Sequence, residues 1–264
     1  MGKKIFQNIF IGLVFLFLYV PIFMVILFSF NTSKMNIVWE GFTLKWYGSF
    51  FQNRTLMESL WISLIIAVLS TAISTVVGTL GAIGLNKYNF RGKNLIDQLL
   101  YIPVVIPEVV LGVALLCIFS TLKMNLGIGT ITLSHATFCI PFVVISVRAR
   151  LAGFDKFLEE AAMDLGANRI ITFFKVTLPL IMPGVASGAL LSFSLSLDDV
   201  IISFFVTGPG STTLPLKILS MVKTGVTPEV NALSTIIMFV VVIIISLNTG
   251  ATVKKMRKKY GTEA

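Results

Sequence analysis

The chain has 264 residues, 56% of them hydrophobic and 12% charged, with a formal net charge of +9 and a mean hydropathy of +0.93. This excludes an ordinary soluble globular domain, in which about a quarter of the residues are charged. Cys117 and Cys139 both fall inside apolar runs, so neither a disulfide framework nor a metal site can be drawn from them, and they read as small apolar fillers.

With a window of about 20 residues, apolar runs fall near residues 5–30, 58–85, 97–122, 129–148, 180–206 and 230–252. They predict an all-α polytopic membrane protein with six transmembrane helices, a single transmembrane domain over residues 1–264. Fifteen of the 21 basic residues lie at 3 and 4, at 87, 91 and 93, at 148, 150, 156, 169 and 175, and at 254, 255, 257, 258 and 259. These are alternate connections, so the positive-inside bias puts both termini and the connection that carries Glu160 in the cytoplasm. The net charge therefore needs no nucleic acid; an anionic inner leaflet accounts for its placement.

The first run follows Lys3-Lys4 but is too long for a signal-peptide h-region and has no small-x-small site after it, so it reads as an uncleaved span. The connection from Asn31 to Met57 holds Trp39, Trp46, Tyr47, Phe50 and Phe51. Such density fits a headgroup-level belt or an aromatic wall at the outer mouth that can hold a cation by its ring face, with Trp46 foremost. In the second span Ser70, Ser74 and Gly78 recur every four residues, a face on which another helix can approach closely. Gly81 and Gly84 make no phosphate loop, because no Gly-Lys-Ser/Thr follows.

The third span contains Pro103, Pro107 and Glu108. Read as one helix from near Asp97, it places Glu108 roughly 16 Å along its axis, where a carboxyl costs about 2.5–3.5 kcal/mol on insertion scales. Glu108 must line a cavity, pair with a cation, or be protonated and bonded to a kink carbonyl. His135, the single histidine, lies near the outer end of the fourth span without a carboxylate or cysteine at ligand spacing. It reads as an interfacial hydrogen-bonding residue, not as a metal ligand or catalyst.

Between the fourth and fifth spans runs the one long polar stretch. A short helix is predicted near 156–166: Asp155 can cap it, Glu159 and Glu160 suit the positive end of its dipole, and Gly166 ends it. Ala161, Ala162 and Leu165 give it a shallow apolar face that another protein's groove can accept; an ordinary cytoplasmic connector is the plainer reading. The fifth span carries Ser192, Ser196, Asp198 and Asp199. Ser192, Ser196 and Asp199 share one helix face and Asp198 lies about 100° around from Asp199. Two adjacent carboxyls cannot both face lipid, so at least one looks into a polar path. After it come the Gly208-Pro209-Gly210 turn, a short amphipathic surface helix near 218–222, and the sixth span.

Three acids in apolar spans, with no Lys or Arg among them, make a path that prefers cations. An organic cation with several ammonium groups fits: carboxylates take the charges and an aromatic face takes a desolvated one.

Glu160-Ala161-Ala162, Gly166, Val176 and Leu178-Pro179 resemble the EAA loop of the membrane subunits of ATP-binding-cassette importers. The runs from Phe193 to Ile201, Phe205 to Pro209, Leu214 to Ile218, Ser220 to Lys223 and Val226 to Ala232 look like PotC-type permease subunits of spermidine/putrescine importers, as do Phe42-Thr43, Lys45-Trp46-Tyr47 and Phe90-Arg91-Gly92-Lys93. The resemblance covers essentially the whole chain. It implies a type I (MetI-like) importer fold in a bacterial inner membrane, a heterodimer with a PotB-type permease, two PotA-type ATPase subunits below and a PotD-type polyamine-binding protein above. It further implies that Trp46, Ser196, Asp198 and Asp199 lie on the polyamine path, and that Glu160, Ala161, Ala162 and Gly166 couple to the ATPase. Glu108 stands where family members carry Asp. Arg169 stands where an acid can occur, so no polyamine role is carried to it.

The chain has no phosphate-loop lysine, Mg²⁺ ligands or catalytic base, so no enzyme activity, cofactor or metal of its own is expected; ATP and Mg²⁺ belong to the partner ATPase. Rival readings are the same machine with another cargo (an amino acid derivative, thiamine or an anion) and a proton-coupled carrier using Glu108 and Asp199 as a relay. The second leaves the Glu160 loop unexplained. An intramembrane protease fits worst, since its two acids should sit on facing helices.

Overall fold

The computed structural model describes residues 2–33, 38–153, 155, 157–224, 228–240 and 242–243. Its described residues are helical apart from turns, bends, irregular connections and one isolated bridge between Asn31 and Phe42. They group into two compact units, one of residues up to Met57 with those from Ser220 onward, the other from Glu58 to Leu219.

The first unit opens with α1 (Gly2–Phe28), which contains Pro21. Its span Phe6–Phe28 has no buried residue in its most apolar window, as expected of a helix whose solvent is lipid. The connection that follows is tied around Asn31, which is fully buried. Its amide donates to the Val38 carbonyl (2.7 Å) and accepts from the Glu40 N–H (2.9 Å). Next comes α2 (Lys45–Gln52), with Trp46 and Phe50 buried. The Glu229 carboxylate, on α12 (Pro228–Val240), accepts hydrogen bonds from Ser49 and Asn53.

The second unit is built on α3 (Arg54–Lys87, its first turn in the other unit), α6 (Ile128–Leu151) and α9 (Leu178–Asp198). The small-residue face predicted on α3 is real: Ser70, Ser74 and Gly78 are all buried. A Cβ on Gly78 would stand 2.7 Å from that of Val143 on α6. The α6–α9 seam is equally close, since a Cβ on Gly188 would lie 3.0 Å from the Val143 Cα. With little hydrophobic drive between helices in lipid, such contact supplies the van der Waals term that holds them. Cys139 is buried in the α6 core as filler, whereas Cys117, placed by its sequence inside a span, is exposed at the surface of the chain.

Two predicted spans are broken. Residues 97–122 form not one helix but α4 (Lys93–Val105) and α5 (Glu108–Thr121), bent by 113°. Pro107 has no N–H to continue the ladder, and it drives Ile106 out of the helical region, to ψ 138. Glu108 therefore opens a new helix; it does not lie part-way along a continuous one. Residues 180–206 divide into α9 and α10 (Ile201–Val206), with Asp199 extended between them (φ −63, ψ 129). Here there is no proline, and the Asp199 carboxylate itself competes for the backbone donors.

Among the described residues four helices are long and apolar enough to cross a membrane, or five if the bent α4–α5 pair counts as one span. Of the predicted sixth span, 230–252, α12 covers the start and much of the rest lies outside the described residues. The amphipathic helix after the Gly208 turn is α11 (Leu214–Thr224).

Candidate functional site: acids at two helix breaks

The breaks are neighbours. α10 packs on α5: a Cβ on Gly112 would meet the Phe205 ring at 2.7 Å and the Ile202 Cα at 3.5 Å. Ile202, Val206, Leu115 and Phe119 share one buried cluster with Ile66, Ile131, Phe138 and Cys139. Glu108, first residue of α5, thus comes within electrostatic reach of both Asp198 and Asp199, 90 and 91 residues further along the chain. Half-broken helices with carboxyls at the break are a way for a membrane protein to place charge inside a bundle without lipid contact.

The two adjacent aspartates do different things. Asp198 ends α9 and is exposed; Glu108 is half-buried. Asp199 is 8% exposed and accepts from the backbone N–H of Ile202 at 3.2 Å and of Ser203 at 2.8 Å, capping α10 as Asp does at helix starts. The shared face predicted for Ser192, Ser196 and Asp199 is the buried one, and Asp198 points away from it.

His135, which the sequence suggested was interfacial, lies 1% exposed at the centre of this buried group. Its Nδ1 is 2.7 Å from the Ser196 Oγ; its Nε2 is 3.1 Å from the Asp199 Oδ2 and 3.0 Å from the Ser203 Oγ. Ser70 donates to Ser196 at 2.8 Å. Four helices, α3, α6, α9 and α10, are joined by one polar chain. Neighbouring residues of α6 could not reveal this, because His135's partners are 61 to 68 residues distant. The available signal was the cost of a lone imidazole in an apolar span.

Trp46 belongs to the first unit and does not stand as an open ring face there. It is 8% exposed, its indole N–H donates to the Asn31 carbonyl at 2.6 Å, and the Lys45 ammonium lies 5.8 Å from its ring centre. Asn31 needs its partners because a buried amide left unpaired is costly, and the indole supplies one of them.

The polar stretch forms α7 (Phe157–Asp164), none of whose residues is buried. Asp155 caps it, accepting from the Phe157 N–H at 3.0 Å. Gly166 ends it at φ +88: the Gly166 N–H bonds to the Met163 carbonyl (2.9 Å) and the Ala167 N–H to that of Ala162 (3.1 Å), a Schellman closure. Glu160 and Ala161 are exposed, Ala162 is half-buried, and Leu165 is 90% exposed, an unusually bare leucine beside a helix that buries none of its own residues.

Glu159, by sequence one of two first-turn acids, is the tether. It pairs with Lys87 at the end of α3 and accepts from Thr177 at 2.6 Å. Beyond α8 (Arg169–Thr172) a π turn, Phe173–Thr177, lies just ahead of Pro179, whose missing N–H cannot close the regular ladder. Since only glycine adopts a positive φ without strain, Gly166→Ala is expected to destabilise the end of α7 by about 1 kcal/mol. Faster amide exchange at Leu165–Ala167, with the spans unchanged, would register it.

Residues 74–258 match the family described as binding-protein-dependent transport system inner membrane component. The chain is 46% identical over 235 residues to the spermidine/putrescine transport system permease protein PotC of Escherichia coli K12, covering 89% of each chain. It is 43% identical over 231 residues to the putrescine transport system permease protein PotI of the same organism, covering 85% of this chain and 82% of that one. Among solved structures, a bacterial alginate ATP-binding-cassette importer shares the fold with a TM-score of 0.72 at 17% identity, covering 95% of both chains.

Proposed function

Because the chain belongs to the family of binding-protein-dependent transport system inner membrane components, we propose that it is the permease subunit of an ATP-driven polyamine importer, with spermidine or putrescine as cargo. One observation carries the cargo class. Asp198 is exposed and Glu108 half-open at two adjoining helix breaks, and no Lys or Arg lies on α5, α9 or α10. Two carboxylates within electrostatic reach of each other gain from a bridging cation with more than one ammonium group. The relatives named for spermidine and putrescine support the same class.

In this reading Asp198 and Glu108 take the ammonium groups directly. Ser196 and Asp199 hold the path from behind, and Trp46 braces the Asn31 loop of its own unit. The exposed Glu160, Ala161 and Leu165 face of α7, closed by Gly166, docks in a PotA-type ATPase. Closure of the ATPase pair pushes α7, and the Glu159 contacts to Lys87 and Thr177 pass that push to α3 and to the entry of α9. The spans then rock as rigid bodies against a PotB-type permease beneath a PotD-type binding protein. Both termini lie in the cytoplasm, and ATP with Mg²⁺ is handled by the ATPase.

The test is spermidine uptake by cells carrying Asp198→Asn or Glu108→Gln. Losing one charge-assisted contact is expected to raise the apparent KM roughly tenfold to a hundredfold, with co-purification of the ATPase unchanged. Uptake at the wild-type KM in both variants would remove the cargo path from these residues.

A further inference from the structure

The polar chain through His135 is larger than a helix cap requires. Asp199 already caps α10 through two backbone donors, yet α6 spends its only histidine on the same carboxylate. The donors can be ordered in one direction. Ser70 gives its proton to Ser196, Ser196 gives its own to the imidazole Nδ1, and Nε2–H then points at the Asp199 Oδ2 and the Ser203 Oγ. This is the tautomer that satisfies every partner. The direction of the chain after Asp198 depends on where the Asp199 side chain is held, because Asp199 is the extended residue between α9 and α10.

Resting on the cargo-path reading above, we propose that His135 is a positioning residue: by fixing Asp199 it sets the break between α9 and α10 in the geometry that presents Asp198 to the ammonium groups of the cargo. It touches no cargo itself, being buried behind the break. Its work is done through hydrogen bonds to two helices at once: Nδ1 to α9 at Ser196, Nε2 to the start of α10. A side chain that keeps only the first contact leaves Asp199 held by the Ile202 and Ser203 N–H groups alone; one that keeps only the second also ties it to α6.

Two substitutions separate these contacts. In His135→Asn the amide oxygen reaches the place of Nδ1 and can accept from Ser196, and in His135→Gln the amide nitrogen reaches that of Nε2 and can donate to Asp199. Uptake of radiolabelled spermidine by the assembled importer, normalised to complex recovered with its ATPase, is expected to show the apparent KM raised about tenfold by His135→Asn with the maximal rate little changed. His135→Gln should stay within about threefold of wild type. Combined with Asp198→Asn, His135→Asn should add nothing further, as for residues acting through one contact. An unchanged KM in His135→Asn, whatever its maximal rate, overturns the proposal. So does an equal rise in both variants, which would assign the effect to packing, or full additivity with Asp198→Asn. If Asp198→Asn alone transports at the wild-type KM, it is Asp198's part in the cargo reading that fails, and the positioning role falls with it. If Asp198→Asn is impaired and His135→Asn is not, only the positioning role falls.

Discussion

Asp199→Ala is expected to be the most damaging single substitution in the chain, costing about 3–5 kcal/mol of stability and nearly all uptake. The carboxylate is the common acceptor for His135 Nε2 and for the Ile202 and Ser203 backbone N–H groups. Removing it strands the two buried backbone donors and leaves His135 Nε2–H only the Ser203 Oγ, and deleting one member of a buried polar or charged pair carries a penalty of that order. Asp199→Asn should be milder, because one oxygen still accepts from Ile202 while the new amide faces donors. Thermal unfolding of the purified complex in detergent measures both. A melting temperature for Asp199→Ala equal to wild type would mean that the network does not hold the break.

The second large effect is expected at Gly78, with Gly84 as its control. Both are glycines of α3, and by sequence they look alike. A Cβ at Gly78 would come within 2.7 Å of Val143 and 3.1 Å of the Ile140 carbonyl, whereas a Cβ at Gly84 meets nothing within 4 Å. Gly78→Ala must push α3 off α6, and overpacking of this kind costs about 1–3 kcal/mol. Gly84→Ala should be neutral or slightly stabilising, since alanine is favoured over glycine in a helix by up to about 1 kcal/mol. Equal melting temperatures for the two variants would show that the α3–α6 seam is looser than its geometry.

The seam also couples to the candidate site. Ser70 lies two turns from Gly78 on the same buried face and reaches Ser196 directly. A displaced α3 would therefore stretch the first hydrogen bond of the polar chain.

Local physics made much of this protein legible in its sequence. The apolar runs marked the four helices that, among the described residues, are long and apolar enough to cross a membrane, because no backbone can cross lipid without satisfying its own hydrogen bonds; they did not show where two of the predicted spans break. The close-packing face of Ser70, Ser74 and Gly78 followed from helical spacing. The bounds of α7 followed from Asp155 and Gly166, whose capping chemistry acts over two or three residues. The cost of three acids in apolar spans marked Glu108, Asp198 and Asp199 before any helix was placed.

What the sequence could not decide were matters of partnership. Ile106-Pro107 could be a tolerated kink or a full break, and the 113° bend was settled by the packing of α5 against α10. Which of two adjacent aspartates opens outward and which is held inside depended on a histidine 64 residues away. Trp46 turned inward because Asn31, also buried, needed a donor for its carbonyl. Spacing along one chain encodes how a helix presents its faces; which side chain meets which across helices is fixed only when the helices close on each other, because a buried polar group takes whatever partner the packing brings within hydrogen-bond reach.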